Sequence, residues 1–156
     1  MPIEIERKFL VLSESYKSDS FRQTTIVQGY LSNSDKSTIR VRVCGQTAYL
    51  TIKGKSNKSG LSRYEWEKEI SVAEAQELLP LCFGSLIEKV RYEIKVGGKL
   101  FEVDEFLGEN IGLTVAEIEL DNEDEVFEKP TWLGEEVSGD KRYYNVYLID
   151  NPYKNW

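Results

Sequence analysis

"EIERKFLV", residues 4–11, is the stretch on which the fold turns. On an extended strand successive side chains point to opposite faces. Ile5 and Phe9, with Ile3 just before, then share one face, and Glu4, Glu6 and Lys8 share the other. For this strand taken alone solvent is a sufficient partner for the charges, because many antiparallel strands are apolar on one side and wet on the other.

The same period of two returns along the chain. It runs through "QTTIVQGYLS" (23–32), "STIRVRVCG" (37–45), "TAYLTIKGK" (47–55), "RYEWEKEIS" (63–71), "LIEKVRYEIKV" (86–96), "KLFEVDEF" (99–106) and "LTVAEIEL" (113–120). Gly45-Gln46 and Gly97-Gly98 mark hairpin turns. "SESYKSD" (13–19) predicts a short helix. "SVAEAQELLPLC" (71–82) predicts another, since Ser71 followed three residues later by Glu74 forms a capping box. The tail predicts short helices and turns, one starting at Pro130 and another along "DKRYYNVYLI" (140–149). Seven or eight strands joined by short turns give an antiparallel α+β fold, and closing them into a barrel removes exposed strand edges.

With 156 residues the chain, 1–156, is read as a single domain. Its 40% apolar and 30% charged residues suit an ordinary globular protein. No apolar run approaches the roughly 20 residues of a membrane helix, and no signal peptide precedes the first strand, so a cytoplasmic setting without membrane partners is expected. Cys44 and Cys82 read as buried thiols without metal-ligand spacing. A net charge of −7 argues against a general nucleic-acid binder. The chain has no histidine, which excludes His-based triads, His general acids and the common zinc sites. Chemistry here must rest on carboxylates, Lys, Arg, Tyr, water or an oxygen-held metal such as Mg²⁺ or Mn²⁺.

Sorted by face, the strands place eight acids together: Glu4, Glu6, Glu65, Glu67, Glu102, Asp104, Glu117 and Glu119. Seven bases take the same kind of face: Lys8, Arg40, Arg42, Lys53, Lys55, Lys89 and Arg91. Nearly every strand contributes a like-charged pair at i, i+2, and such pairs repel unless opposite charge lies between or across from them. One reading is a solvated face or a ladder of salt bridges between neighbouring strands. The other is a polar lumen, with the apolar faces packed outward against the helices. Converging bases would attract a polyanion there, and the carboxylates would hold divalent cations bridging to it. Positioned positive charge and a metal near the attacked phosphorus are what phosphoryl transfer requires. Taken together, the strands favour the lumen.

The ordered set also resembles a known family. "EIERK" has the form E-x-E-x-K that opens CYTH proteins, also called triphosphate tunnel metalloenzymes. "IRVR", "TIKGK", "YEWEKEI", "EKVRYEI", "FEVDEF", "AEIEL" and "WLGEEVSGDKRYYN" follow in the family's order, from residue 3 to about residue 150. The resemblance implies a closed eight-stranded antiparallel β-barrel, a tunnel fold with flanking helices, whose lumen binds a triphosphate. It suggests Lys8, Arg40, Arg42, Lys53, Lys89 and Arg91 as phosphate ligands, with Lys55 on the same face. It suggests Glu4, Glu6, Glu117 and Glu119 as metal ligands, assisted by Asp104 or by Glu65 and Glu67.

A planar guanidinium suits bidentate phosphate binding, so Arg40, Arg42 and Arg91 are expected to fix the non-transferred phosphates. Lys8 and Lys53 would neutralise the leaving oxygen, and Glu4 is the expected proton acceptor for the attacking water. The small bacterial tripolyphosphatases are the most similar members. Their resemblance implies hydrolysis of inorganic tripolyphosphate to pyrophosphate and phosphate, by a monomer or homodimer. The alternatives are a class IV-type adenylyl cyclase, a thiamine triphosphatase, and a non-catalytic polyphosphate- or nucleotide-binding protein. Auxiliary expectations are Tyr30 with Gln28 facing the tunnel, Lys141 and Arg142 closing its mouth from a C-terminal helix, and the loop from Gly54 to Ser62 gating entry.

Overall fold

The computed structural model describes residues 2–156. Nine strands account for most of it: β1 (Ile3–Val11), β2 (Arg22–Asn33), β3 (Ser37–Cys44), β4 (Thr47–Gly54), β5 (Ser62–Ile70), β6 (Phe83–Val96), β7 (Lys99–Phe106), β8 (Thr114–Glu119) and β9 (Leu133–Glu136). Three helices join them: α1 (Tyr16–Asp19), α2 (Val72–Leu78) and α3 (Asn145–Asp150). The sheet order is β5-β4-β3-β2-β6-β7-β8-β1-β9, all pairs being antiparallel, and a further pairing of β1 with β5 closes the first eight strands into a barrel. β1 completes the closure with both edges, meeting β8 along Glu6–Phe9 and β5 along Ile3–Ile5.

Turn chemistry fixes the register. Gly97 and Gly98 both have positive φ (56° and 79°), so the two-residue loop between Val96 and Lys99 twists as its strands require. Ser71 and Glu74 form the expected capping box at the start of α2. Among the described residues the buried apolar side chains form three separate clusters. One cluster, including Phe9, Tyr16, Phe101, Ile118 and Trp132, covers the outer face of the barrel beneath α1. A second, Val41 and Ala48 with Ala75, seats α2 on the outside of β3 and β4. The third lies at one end of the barrel. Ile87, Phe106 and Val115, which share the inward parity of Lys89, Asp104 and Glu117, pack there against Tyr143 and Leu148 from the C-terminal segment. Apolar packing by that segment therefore closes this end.

The tail departs from expectation in two places. Pro130 starts no helix: Leu133 N–H donates to its carbonyl at 3.1 Å, and the chain turns into β9, which lies along β1 from Phe9 to Val11. A strand of four residues is too short to show alternation. "DKRYYNVYLI" is also not one helix. A 3₁₀ turn over Lys141–Tyr143 precedes an extended Tyr144, and α3 begins only at Asn145. Cys44 and Cys82 are free thiols, half-buried rather than buried.

Candidate active site

The inward positions of the eight barrel strands enclose a polar cavity of about 310 Å³. Its walls are sorted by charge. Three adjacent strands, β7, β8 and β1, contribute Glu102, Glu117, Glu119, Glu4 and Glu6. β4, β3 and β6 contribute Lys53, Arg40, Arg42, Lys89 and Arg91. Between β3 and β6, strand β2 lines the cavity with the neutral Tyr30, while Gln28, expected to face the tunnel with it, is fully buried and not part of the lining. Lys8 is the base within the carboxylate wall, 3.6 Å from Glu117 and 4.0 Å from Glu6. β5 adds Arg63, Glu65 and Glu67.

Most of the bases are paired. Lys53 Nζ lies 3.0 Å from Glu4 and 3.3 Å from Glu65, and Glu4 is also 3.5 Å from Arg63. Arg40 reaches Glu67 at 3.5 Å and Thr51 Oγ1 at 3.2 Å. The fully buried Asp104 takes a bidentate bond from Arg91, at 2.8 and 2.9 Å, and a contact from Lys89 at 2.8 Å. Arg42 differs: among the described residues it meets no carboxylate, and its Nε donates to Gln28 Oε1 at 2.9 Å.

Burial and crowding set the protonation of these groups. Glu6 is pushed up to about 7 by burial and by the neighbouring Glu117 and Glu4. Burial acts the same way on Glu119, with Glu4 and Glu102 adding to it. Burial alone would also raise Glu117, but Lys8 and Arg91 reverse this and hold it below the usual range. Asp104 is likewise held far down by Arg91 and Lys89 against the effect of burial. Lys89 is pulled down to about 7 by burial, aided by Arg91 and Arg42 and opposed by Asp104. Arg42, lowered to about 10 by burial, Arg40 and Arg91, stays charged at neutral pH.

Of the residues singled out in the sequence, Glu4, Glu6, Lys8, Tyr30, Arg40, Arg42, Lys53, Glu65, Glu67, Lys89, Arg91, Glu117 and Glu119 line this one cavity. Asp104 lies beneath its floor, saturated by Arg91 and Lys89, so it acts as their counter-charge rather than as a free metal ligand. Lys55 falls one residue beyond β4 and is exposed. With Lys58, Lys141 and Tyr147 it lines an outer groove of about 590 Å³, which meets the cavity at Thr38, Arg63 and Tyr144. Lys141 does not enter the cavity, and Arg142 is turned onto its own Asp140 at 2.8 Å. The C-terminal segment instead presents Tyr144, whose ring lies 5.1 Å from Lys8 Nζ, and Asn145.

The carboxylate wall fits a hard divalent cation. Glu6 stands directly opposite Glu119, and Glu102 directly opposite Glu117. Like charges so placed repel without a counter-charge between them, and after burial this repulsion contributes to the raised pKa of Glu119, through Glu4, Glu102 and Glu6, and of Glu102, through Glu117. Among the described residues, no three carboxylates gather closely enough to hold an ion alone. A Mg²⁺-like ion needs only one or two of them, because substrate phosphate oxygens and waters supply the rest of its shell.

Comparison with known proteins agrees with this geometry. The CYTH domain model matches residues 2–144. The inorganic triphosphatase of Acetivibrio thermocellus is 51% identical over 154 residues, covering 98% of this chain and 97% of the relative. That of Nitrosomonas europaea is 40% identical over 149 residues, covering 93% and 95%. Among solved structures, the inorganic triphosphatase NE1496 superposes with a TM-score of 0.66 at 38% identity, over 94% of this chain and 97% of that one. The PH1012 protein from Pyrococcus horikoshii shares the fold at 23% identity, with a TM-score of 0.61 over 77% and 80% of the two chains. A charge-sorted lumen inside an eight-stranded barrel and a family match across almost the whole length lead to one assignment: the chain belongs to the CYTH domain family.

Proposed function

We propose that this protein is a metal-dependent triphosphatase that hydrolyses inorganic tripolyphosphate to pyrophosphate and phosphate. The observation that carries this is the sorting of the lumen, with bases on β3, β4 and β6 facing carboxylates on β7, β8 and β1. A salt-bridge ladder built only for stability would set opposite charges across from one another. Here Lys8 faces Glu117, Lys53 faces Glu65, Arg91 faces Asp104 and Glu4 faces Arg63, but the carboxylate wall breaks that rule, with Glu6 facing Glu119 and Glu102 facing Glu117. The relatives named as inorganic triphosphatases support the choice of substrate.

In this reading Arg40 and Arg42 grip the phosphates that stay together as pyrophosphate, each guanidinium offering a planar fork, whereas the fork of Arg91, expected from the sequence to join them, is taken by Asp104 and Glu102. Lys8 stands within the carboxylate wall, between Glu6 and Glu117. There its ammonium neutralises charge growing on the bridging oxygen as the bond to the terminal phosphorus breaks. Water attacks that phosphorus from the carboxylate side, and a carboxylate of the wall takes its proton. Glu4, the acceptor expected from sequence, is committed to Lys53 and Arg63. Glu119 carries no ion pair among the described residues and is raised by burial, which suits it better to this task. Glu6 and Glu117 would hold Mg²⁺ or Mn²⁺, which would supply Lewis-acid stabilisation of the phosphoryl oxygens.

Phosphate release from tripolyphosphate, ATP and pyrophosphate, each with Mg²⁺, Mn²⁺ or EDTA, tests the assignment. Metal-dependent cleavage of tripolyphosphate ahead of ATP, abolished in Glu6→Gln and Arg40→Ala, is expected. Release from no substrate with either metal, or formation of cyclic AMP from ATP, would overturn it.

A further inference from the structure

Strand β2 is the neutral strand between two basic ones, and its Gln28 is fully buried. The Gln28 carboxamide takes the Arg42 Nε–H on its oxygen at 2.9 Å and donates from Nε2 to Asn145 Oδ1 at 3.3 Å and to the Tyr30 hydroxyl at 3.2 Å. Asn145 Oδ1 also accepts from Lys89 Nζ at 2.8 Å. Arg42 and Lys89 can only donate, so both amides must present oxygen to them, and Gln28 must turn its NH₂ toward Asn145. The result is one continuous chain: Arg42 on β3, Gln28 on β2, Asn145 at the start of α3, and Lys89 on β6.

We propose that Gln28 and Asn145 are positioning residues for the triphosphate, a bridge of two neutral amides that aims Arg42 into the lumen without discharging it and orients Lys89, whose one counter-charge is Asp104. This rests on the triphosphatase reading. A carboxylate at either position would give its cation a stronger bond but would cancel the charge offered to the substrate. Arg91 shows that outcome, held by Asp104 and Glu102 together. Arg42 is the half-buried lumen cation that no carboxylate pairs among the described residues, and an amide is the side chain that can hold it so. α3 thereby contributes to substrate binding through its first residue as well as closing the barrel.

The test is isosteric. Calorimetric titration with sodium tripolyphosphate in EDTA, which separates binding from turnover, is run on wild type, Gln28→Glu and Asn145→Asp, with steady-state kinetics and melting curves alongside. In Gln28→Glu the affinity for tripolyphosphate should fall, and KM should rise, at least about tenfold through loss of net charge facing the anion. Its kcat should change less than KM, and its melting temperature should hold or rise. Asn145→Asp should act in the same direction through Lys89, and serves if Gln28→Glu does not fold. Wild-type affinity in either folded carboxylate variant would overturn the proposal. Failure of the wild type itself to bind tripolyphosphate would overturn the triphosphatase reading instead.

Discussion

Asp104 shows how a single side chain prepares this lumen for an anion. It is 2% exposed and meets both Lys89 and Arg91 at 2.8 Å. Two cations beneath one wall would repel each other without it, and burial already drives Lys89 toward the neutral amine. Removing one partner of a buried ion network leaves the others uncompensated, at a cost of about 3–5 kcal/mol. Asp104→Asn should therefore destabilise the protein by about that amount at neutral pH. The pH dependence has a defined sign. The folded-state pKa of Asp104 lies below its ordinary 3.8, so the stabilisation is complete above that value and declines as pH falls through the folded pKa. Urea denaturation of both proteins between pH 3 and pH 8 checks this. The gap should narrow at the acid end as Asp104 is protonated, and should also shrink as pH rises through about 7, where Lys89 loses its proton in the wild type. A gap that widens toward low pH would mean that Asp104 is not the counter-charge described.

The strands and helices divide the remaining work. α2 packs on the outside of the barrel and carries its own capping box. Ser71→Ala should cost about 1 kcal/mol and leave KM unchanged. Gly84 is a different case. Its φ is +63°, and a Cβ there would sit 2.2 Å from Ile149 Cγ2 of α3. Gly84→Ala combines an unfavourable backbone conformation with displacement of the helix that carries Asn145, and should cost about 2–4 kcal/mol. Its KM for tripolyphosphate should rise as well, so steady-state kinetics of the two variants separate a purely structural element from one coupled to the site. A Gly84→Ala protein with unchanged KM would uncouple α3 from the lumen.

Legibility from the sequence followed the same division between elements. All eight barrel strands were readable because each is long enough to repeat its alternation, and that alternation placed most lumen residues on the correct face. Arg63 and Tyr49 carry the same parity signal as Glu65 and Lys53, and parity alone could have found them. Tyr144 and Asn145 had no such signal, because a turn and a six-residue helix bring them in and only tertiary docking decides where they point. Asp104 lay on the correct face, yet its role depends on its register against Arg91, which hydrophobic periodicity does not encode.

As a whole, the molecule carries a net charge of −7 yet concentrates five bases of β3, β4 and β6 around one cavity. Apolar packing is spread over the outside of the barrel and one of its ends, so the rest of the interior is held by ion pairs and polar hydrogen bonds and remains electrostatically incomplete on both walls. Anion and cation should accordingly bind together and stabilise the fold together. A ligand at about 100 times its dissociation constant adds about 2.7 kcal/mol, which for a chain of this length corresponds to a rise of about 5–10 °C in melting temperature. Tripolyphosphate with Mg²⁺ should produce a rise of that size, and tripolyphosphate in EDTA a smaller one, because the repulsion between Glu6 and Glu119 is then unrelieved. Mg²⁺ alone should do less than the pair, since phosphate oxygens complete its shell. Raising the salt concentration should weaken the response to tripolyphosphate only modestly, as buried charges are poorly screened. A melting temperature indifferent to tripolyphosphate and Mg²⁺ at high concentration would return the lumen to a purely structural role, with its cross-strand acid pairs left without a physical cause.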